Sequence, residues 1–227
     1  MTTHRPDGVL GGGVAAVVPT GQRAYELGKR AVDVVLASGT LLVTSPLLLA
    51  VALIVRLTSR GPVLFRQTRV GQHGAHFQML KFRTMRHGCD ERAHREYVER
   101  LLAGPTEAQD GLYKLADDAR ITRAGRVLRR LSIDELPQLL NVLKGEMSLV
   151  GPRPALPFEV ELFPEWASSR YGVQPGLTGL WQVSGRNRLT MTEGLKLDVE
   201  YVRRRGLRTD LVILLRTLPA VLDRGAR

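Results

Sequence analysis

The sequence predicts a mostly helical α+β protein: an N-terminal re-entrant membrane helix hairpin, then a compact cytosolic domain with a small β-hairpin and interfacial amphipathic helices. Three observations predict this. One long apolar segment carries a central proline and basic residues on both flanks. Two strand-like runs around a glycine turn follow it. Beyond them, apolar and charged residues recur at helical spacing. The division is residues 1–22 as a disordered tail, 23–60 as the membrane helix and 61–227 as the cytosolic domain at the membrane surface.

Taking the elements in order, residues up to about Gln22 hold Gly11, Gly12 and Gly13 with few large side chains, which suits a tail. Val34 to Val55 contains no charge and has about the 20 residues that a membrane span requires. Pro46 lacks the N–H that would bond back to Leu42, so the helix should kink there, and Ser45 can take a freed carbonyl. Arg23, Lys29 and Arg30 precede the segment; Arg56, Arg60, Arg66 and Arg69 follow it. Basic flanks favour the cytoplasmic side, so both ends prefer one side of the bilayer. A helix that enters the inner leaflet and returns satisfies that. A buried core helix and a slightly bent straight span are the alternatives.

Pro62 to Gln67 reads as a strand, Gly71 to Gly74 as a turn and His76 to Arg83 as a second strand. Asp90 to Leu102 reads as an exposed helix, Ile121 to Leu131 as a basic helix and Leu136 to Leu143 as an apolar one. Gly151-Pro152-Arg153-Pro154 must be irregular, because two prolines exclude regular pairing. Met191 to Arg205 forms a mixed-charge helix. Leu207 to Leu222 suits a helix in the headgroup plane, although burial explains its apolar residues equally well.

The 227 residues carry 33 Lys+Arg against 22 Asp+Glu, a net +11. Such a surface suits nucleic acid, anionic headgroups or phosphorylated substrates. Aromatics at 5% give no base-stacking platform. The single cysteine, Cys89, excludes an intrachain disulfide, suits a reducing compartment and has no neighbouring base to activate it. The five histidines show no metal-ligand spacing.

Phosphoryl transfer needs a nucleophile, charge for phosphate oxygens and fixed geometry. Asp134 and Glu135 are adjacent carboxylates behind a basic helix, and at a helix start both can converge on one Mg²⁺. Taken alone, this stretch reads as a helix start rather than an active site. Ser132 and Glu135 have capping-box spacing, and with Asp134 as the cap, Pro137 falls harmlessly in the first turn. Arg153 on its stiffened loop suits a phosphate clamp or a plain turn. Arg186 and Asn187 suit a nucleotide contact or a solvated turn. Lys81 and Arg83 alternate with Phe82, so both bind phosphate or both lie on a wet face.

The ordered set is more specific than its parts. It comprises Lys81 to Met85, Leu128 to Leu139, Asn141 to Pro154, Pro175 to Val183 and Gly185 to Asn187. From about Ala24 to Leu222 the chain resembles the bacterial sugar transferase family, the monotopic phosphoglycosyl transferases, in its minimal form. The resemblance implies a re-entrant helix broken at a Ser-Pro pair, here Ser45-Pro46. It implies transfer of a sugar-1-phosphate from a UDP-sugar to polyprenyl (undecaprenyl) phosphate, with UMP released and Mg²⁺ required. It implies Asp134 as the nucleophile of a covalent aspartyl phospho-sugar, with Glu135 as metal ligand or base. Arg129, Arg153 and Lys81 then bind phosphate, and Arg186 and Asn187 contact the nucleotide. The implied setting is the cytosolic face of the inner membrane, among its phospholipids, in polysaccharide or glycoconjugate assembly, and it is compatible with a homo-oligomer. Met191 departs from the aromatic residue that many members carry. The rivals are a catalytically inactive membrane scaffold and a basic nucleic-acid binder. The apolar segment and scarce aromatics count against nucleic acid as a partner.

Overall fold

A computed structural model describes residues 20–85, 120–185 and 189–222. Most of the predicted tail, Cys89, the helix expected over Asp90 to Leu102, and Arg186 and Asn187 lie outside these residues.

Helix α1 (Thr20–Thr58) is helical throughout, passing through Pro46 instead of splitting there. Ser45 Oγ donates to Leu42 O at 2.8 Å, so the carbonyl that proline strands is satisfied within the helix. Every third or fourth residue (Asp33, Ala37, Leu41, Thr44, Leu48, Val51, Val55) is buried or half-buried, a single stripe at helical period. Ala37 and Leu41 join the main core, while Leu48, Val51 and Val55 pack with Phe82 and Leu128. The other face leaves Leu42, Val43, Leu49, Leu53 and Leu57 exposed. Among the described residues α1 is the one helix long and apolar enough to cross a membrane, and it is not a buried core helix.

Strands β1 (Leu64–Val70) and β2 (His76–Phe82) pair antiparallel, Leu64 opposite Phe82 and Val70 opposite His76. Pairing moves β1 past the expected Pro62 start, because Pro62 cannot donate to a ladder. β2 stops at Phe82, so Arg83 does not share the face of Lys81. Arg83 is buried and donates to Val55 O, Ser59 O and Pro62 O. It ties down the end of α1, and neither expectation for it, phosphate or wet face, holds.

Helix α2 (Arg123–Arg130) starts where Thr122 Oγ1 accepts from Gly125 N at 2.9 Å. Helix α3 (Gln138–Lys144) ends at Gly145 in the left-handed region. Arg30 donates to the Leu143 and Val142 carbonyls at that end. Strand β3 (Ser148–Val150) runs parallel to β4 (Gly176–Thr178), with helix α4 (Pro157–Leu162) in the crossover. A Cβ on Gly176 would lie 2.1 Å from Gly151 N, so only glycine lets the two segments approach this closely. Helices α5 (Leu180–Val183), α6 (Met191–Arg204) and α7 (Leu207–Leu222) complete the fold. α7 divides the two expectations for it: Ile213 is buried, while Leu207, Leu211, Leu215 and Leu218 are exposed on the other side.

Candidate active site

A cavity of about 260 Å³ opens where β1, β2, the dyad turn, the Arg153 loop, β4, α5 and α7 meet. Its charged walls are Arg69, Lys81, Glu135 and Arg153; its polar walls include Gln138, Thr178, Gln182 and Thr217. Leu131, Ile133, Leu136, Leu149, Leu177 and Leu214 supply the apolar lining.

The dyad sits on a single 3-10 turn, Ile133–Glu135. Ser132 precedes it with φ 56°, a left-handed conformation that costs a non-glycine residue free energy and is concentrated at functional sites. Neither predicted cap is realised. Ser132 makes no side-chain cap bond, and Pro137 rather than Asp134 occupies the N-cap of α3, where its missing N–H costs nothing. The stretch is a connector held in a strained shape between α2 and α3.

Lys81 Nζ lies 3.6 Å from Glu135 Oε1. Burial pushes the Lys81 ammonium down from its usual range. Glu135 opposes that shift, Arg153 adds to it, Asp134 opposes it and Arg69 adds to it. Each of these groups therefore acts on the same point. Thr178 Oγ1 and Thr217 Oγ1 are 2.8 Å apart on the facing wall.

Asp134 is buried, 5% exposed, and does not itself line the cavity, although its neighbours Ser132, Ile133 and Glu135 do. Arg129 stands on the last turn of α2, also off the cavity wall. The structure thus brings Lys81, Glu135 and Arg153 together, sets Asp134 immediately beside them, and places Arg129 behind. Ser45 and Pro46 lie on α1 and take no part in the cavity.

The sequence counts Arg69 only among the basic residues that follow the apolar segment. Arg69 is 5% exposed, lines the cavity, and donates to Pro154 O at 3.0 Å and Gln67 Oε1 at 2.8 Å. Its position in β1 one pleat from Gln67 is the signal that could have found it. Lys29 and Arg30 are likewise engaged inside the fold, Lys29 with Asp210 at 2.9 Å and Arg30 with the end of α3.

Magnesium takes oxygen ligands and commonly uses one or two carboxylates with substrate phosphates and water. Asp134 and Glu135 fit that donor set. Among the described residues there is no group of three or more His, Cys, Asp or Glu side chains for a fully protein-ligated ion.

Residues 24–224 match the family described as bacterial sugar transferase. The chain is 44% identical over 212 residues to the exopolysaccharide production protein ExoY of Rhizobium meliloti (strain 1021), covering 93% of this chain and 91% of that protein. It is 46% identical over 213 residues to the UDP-glucose:undecaprenyl-phosphate glucose-1-phosphate transferase of Caulobacter vibrioides, covering 90% and 73%. It is 40% identical over 207 residues to the undecaprenyl-phosphate galactose phosphotransferase of Salmonella typhimurium, covering 89% and 42%. On a match that spans nearly all of its length, the chain belongs to the bacterial sugar transferase family.

Proposed function

We propose that this chain transfers a sugar-1-phosphate from a UDP-sugar to polyprenyl phosphate, giving polyprenyl diphosphate-sugar and UMP. The observation that carries this reading is the meeting of Glu135, Lys81, Arg69 and Arg153 at one cavity directly beside Asp134. Two carboxylates suit a nucleophile and a metal ligand, and three cations suit a diphosphate.

The Asp134 carboxylate attacks the sugar-bearing phosphorus. An oxygen–phosphorus bond forms, the bond from that phosphorus to the UMP oxygen breaks, and UMP leaves with the electron pair. A phosphate oxygen of polyprenyl phosphate then attacks the same phosphorus, and the Asp134 carboxylate is restored. Because Asp134 does not line the cavity, attack requires its side chain to turn toward it. Lys81, Arg69 and Arg153 hold phosphate oxygens, with Arg129 supporting them from α2. Arg186 and Asn187 contact the nucleotide. Asp134 and Glu135 would hold Mg²⁺, which when bound would supply positive charge to the phosphoryl oxygens.

The lipid acceptor fits a chain whose α1 leaves a long apolar face open. We read α1 as re-entrant in the inner leaflet, with the domain on the cytosolic face. Both arms of α1 pack on the same charged domain, which supports that reading: Asp33 accepts from Ser148 and Leu149, and Arg83 holds Val55 and Ser59. A domain with these charges does not reach across the roughly 30 Å hydrocarbon core.

The test supplies detergent-purified chain with a panel of UDP-sugars, Mg²⁺ and undecaprenyl phosphate. At least one sugar should yield UMP and a polyprenyl diphosphate-sugar in equal amounts. UMP without lipid product, or neither product from any sugar, would contradict the proposal.

A further inference from the structure

The Arg153 loop is gripped from behind by a buried ion pair that does not line the cavity. Arg170 Nη2 donates to Arg153 O at 2.6 Å and to Asp198 Oδ2 at 2.7 Å. Asp198 in turn accepts a hydrogen bond from the Arg153 backbone N–H. The pair therefore engages both the carbonyl and the amide of one residue, the one whose guanidinium reaches the cavity. Arg170 is 3% exposed and Asp198 0%. The guanidinium of Arg170 lies 5.2 Å from the Phe163 ring centre and 5.5 Å from that of Tyr171, which leaves it little room to move.

Stability does not explain this arrangement well. Buried ion pairs are often no better than apolar residues of equal volume, because desolvation offsets their attraction. What a buried, doubly bonded pair does supply is a fixed orientation for whatever it holds. Arg69 donates to the next carbonyl, Pro154 O, at 3.0 Å. Two consecutive carbonyls of one loop are thus fixed by arginines from different elements.

We propose that Arg170 and Asp198 are positioning residues that act through Arg153, fixing its backbone so that its guanidinium is aimed at the phosphates of the sugar nucleotide. This rests on the reaction proposed above. A misplacement of about 1 Å can cost about a hundredfold in rate, so a second layer of this kind matters to turnover without touching substrate.

A double-mutant cycle tests it, with UMP release as one measurement and hydrogen–deuterium exchange over residues 151–156 as the other. Asp198→Asn should lower kcat/KM about tenfold to a hundredfold and speed exchange in that loop. In an Arg153→Ala background the same change should alter kcat/KM less than about twofold, because the residue it acts through is gone. Arg170→Met, which removes the nitrogen that makes both bonds, should behave like Asp198→Asn and serves if the latter fails to fold. Equal fold-losses in both backgrounds, or unchanged exchange, would overturn the proposal. No UMP from the wild-type chain would refute the reaction instead, and loop exchange would still decide the role of the pair.

Discussion

Asp198 is the residue whose chemistry is most altered by its place in the fold. Burial raises its carboxyl from the ordinary 3.8 to about 6, with Arg170 and Arg153 opposing the shift and the Tyr171 phenol nearby. Below pH 3.8 the group is protonated folded or unfolded, and above about 6 it is charged in both. Its contribution to stability is therefore fully present below 3.8 and is lost as pH rises through about 6. Its contribution to activity runs the other way, since the grip on Arg153 requires the carboxylate. UMP release should fall as pH drops below about 6, and Asp198→Asn should lack that acid limb. Arg69→Ala should remove a cavity cation and leave Glu159, 3.7 Å away, without its buried partner. Loss of one member of such a pair costs about 3–5 kcal/mol, so thermal unfolding should drop along with activity. That Lys81, Glu135 and Arg153 share one cavity beside Asp134 agrees with the sequence reading, because each sits inside a contiguous motif. The roles of Arg69, Arg170 and Asp198 were not legible there, because their partners come from distant segments: Arg69 meets Pro154 85 positions away and Arg170 meets Asp198 28 away.

At the scale of elements, α1 is one apolar helix whose charged flanks have two different fates. The basic flanks predicted that both ends share one side. Yet Lys29, Arg30 and Arg69 are engaged within the fold, while Arg23, Arg56, Arg60 and Arg66 are exposed. The stripe from Asp33 to Val55, which packs both arms on one domain, is the feature that the proposed re-entrant topology rests on. Single cysteines near Thr20 and Arg227 should both resist a membrane-impermeant label in intact cells. Labelling of the first alone would mean that α1 spans. A second prediction concerns α6. A Cβ on Gly194 would lie 2.1 Å from Trp181 Cε2, and the indole is 2% exposed. Gly194→Ala should cost at least about 1–3 kcal/mol by overpacking, measured by denaturant unfolding. The two hairpin strands and helices α2, α3, α6 and α7 were readable from periodicity to within a few residues. The dyad turn was not: capping spacing suggested a helix start, whereas tertiary packing holds Ser132 left-handed and gives the cap to Pro137.

For the whole molecule, the sequence separated an apolar helix from a charged domain, and the structure retains that division while joining them closely. It brings residues from positions 69 to 217 around one cavity, in a domain that also carries a helix with one face packed and one face open. A molecule with a charged cavity and an open apolar face suits the proposed reaction between a water-soluble nucleotide sugar and a lipid phosphate. The covalent step is the part that came from resemblance rather than from periodicity or packing. A single-turnover experiment addresses it directly. Wild-type chain mixed with its UDP-sugar and Mg²⁺, without polyprenyl phosphate, should release a burst of UMP stoichiometric with enzyme while the protein gains the mass of the phospho-sugar. Asp134→Asn should show neither. A burst of equal size from Asp134→Asn, or UMP released by wild type only when the lipid is present and with no mass gained, would contradict the account.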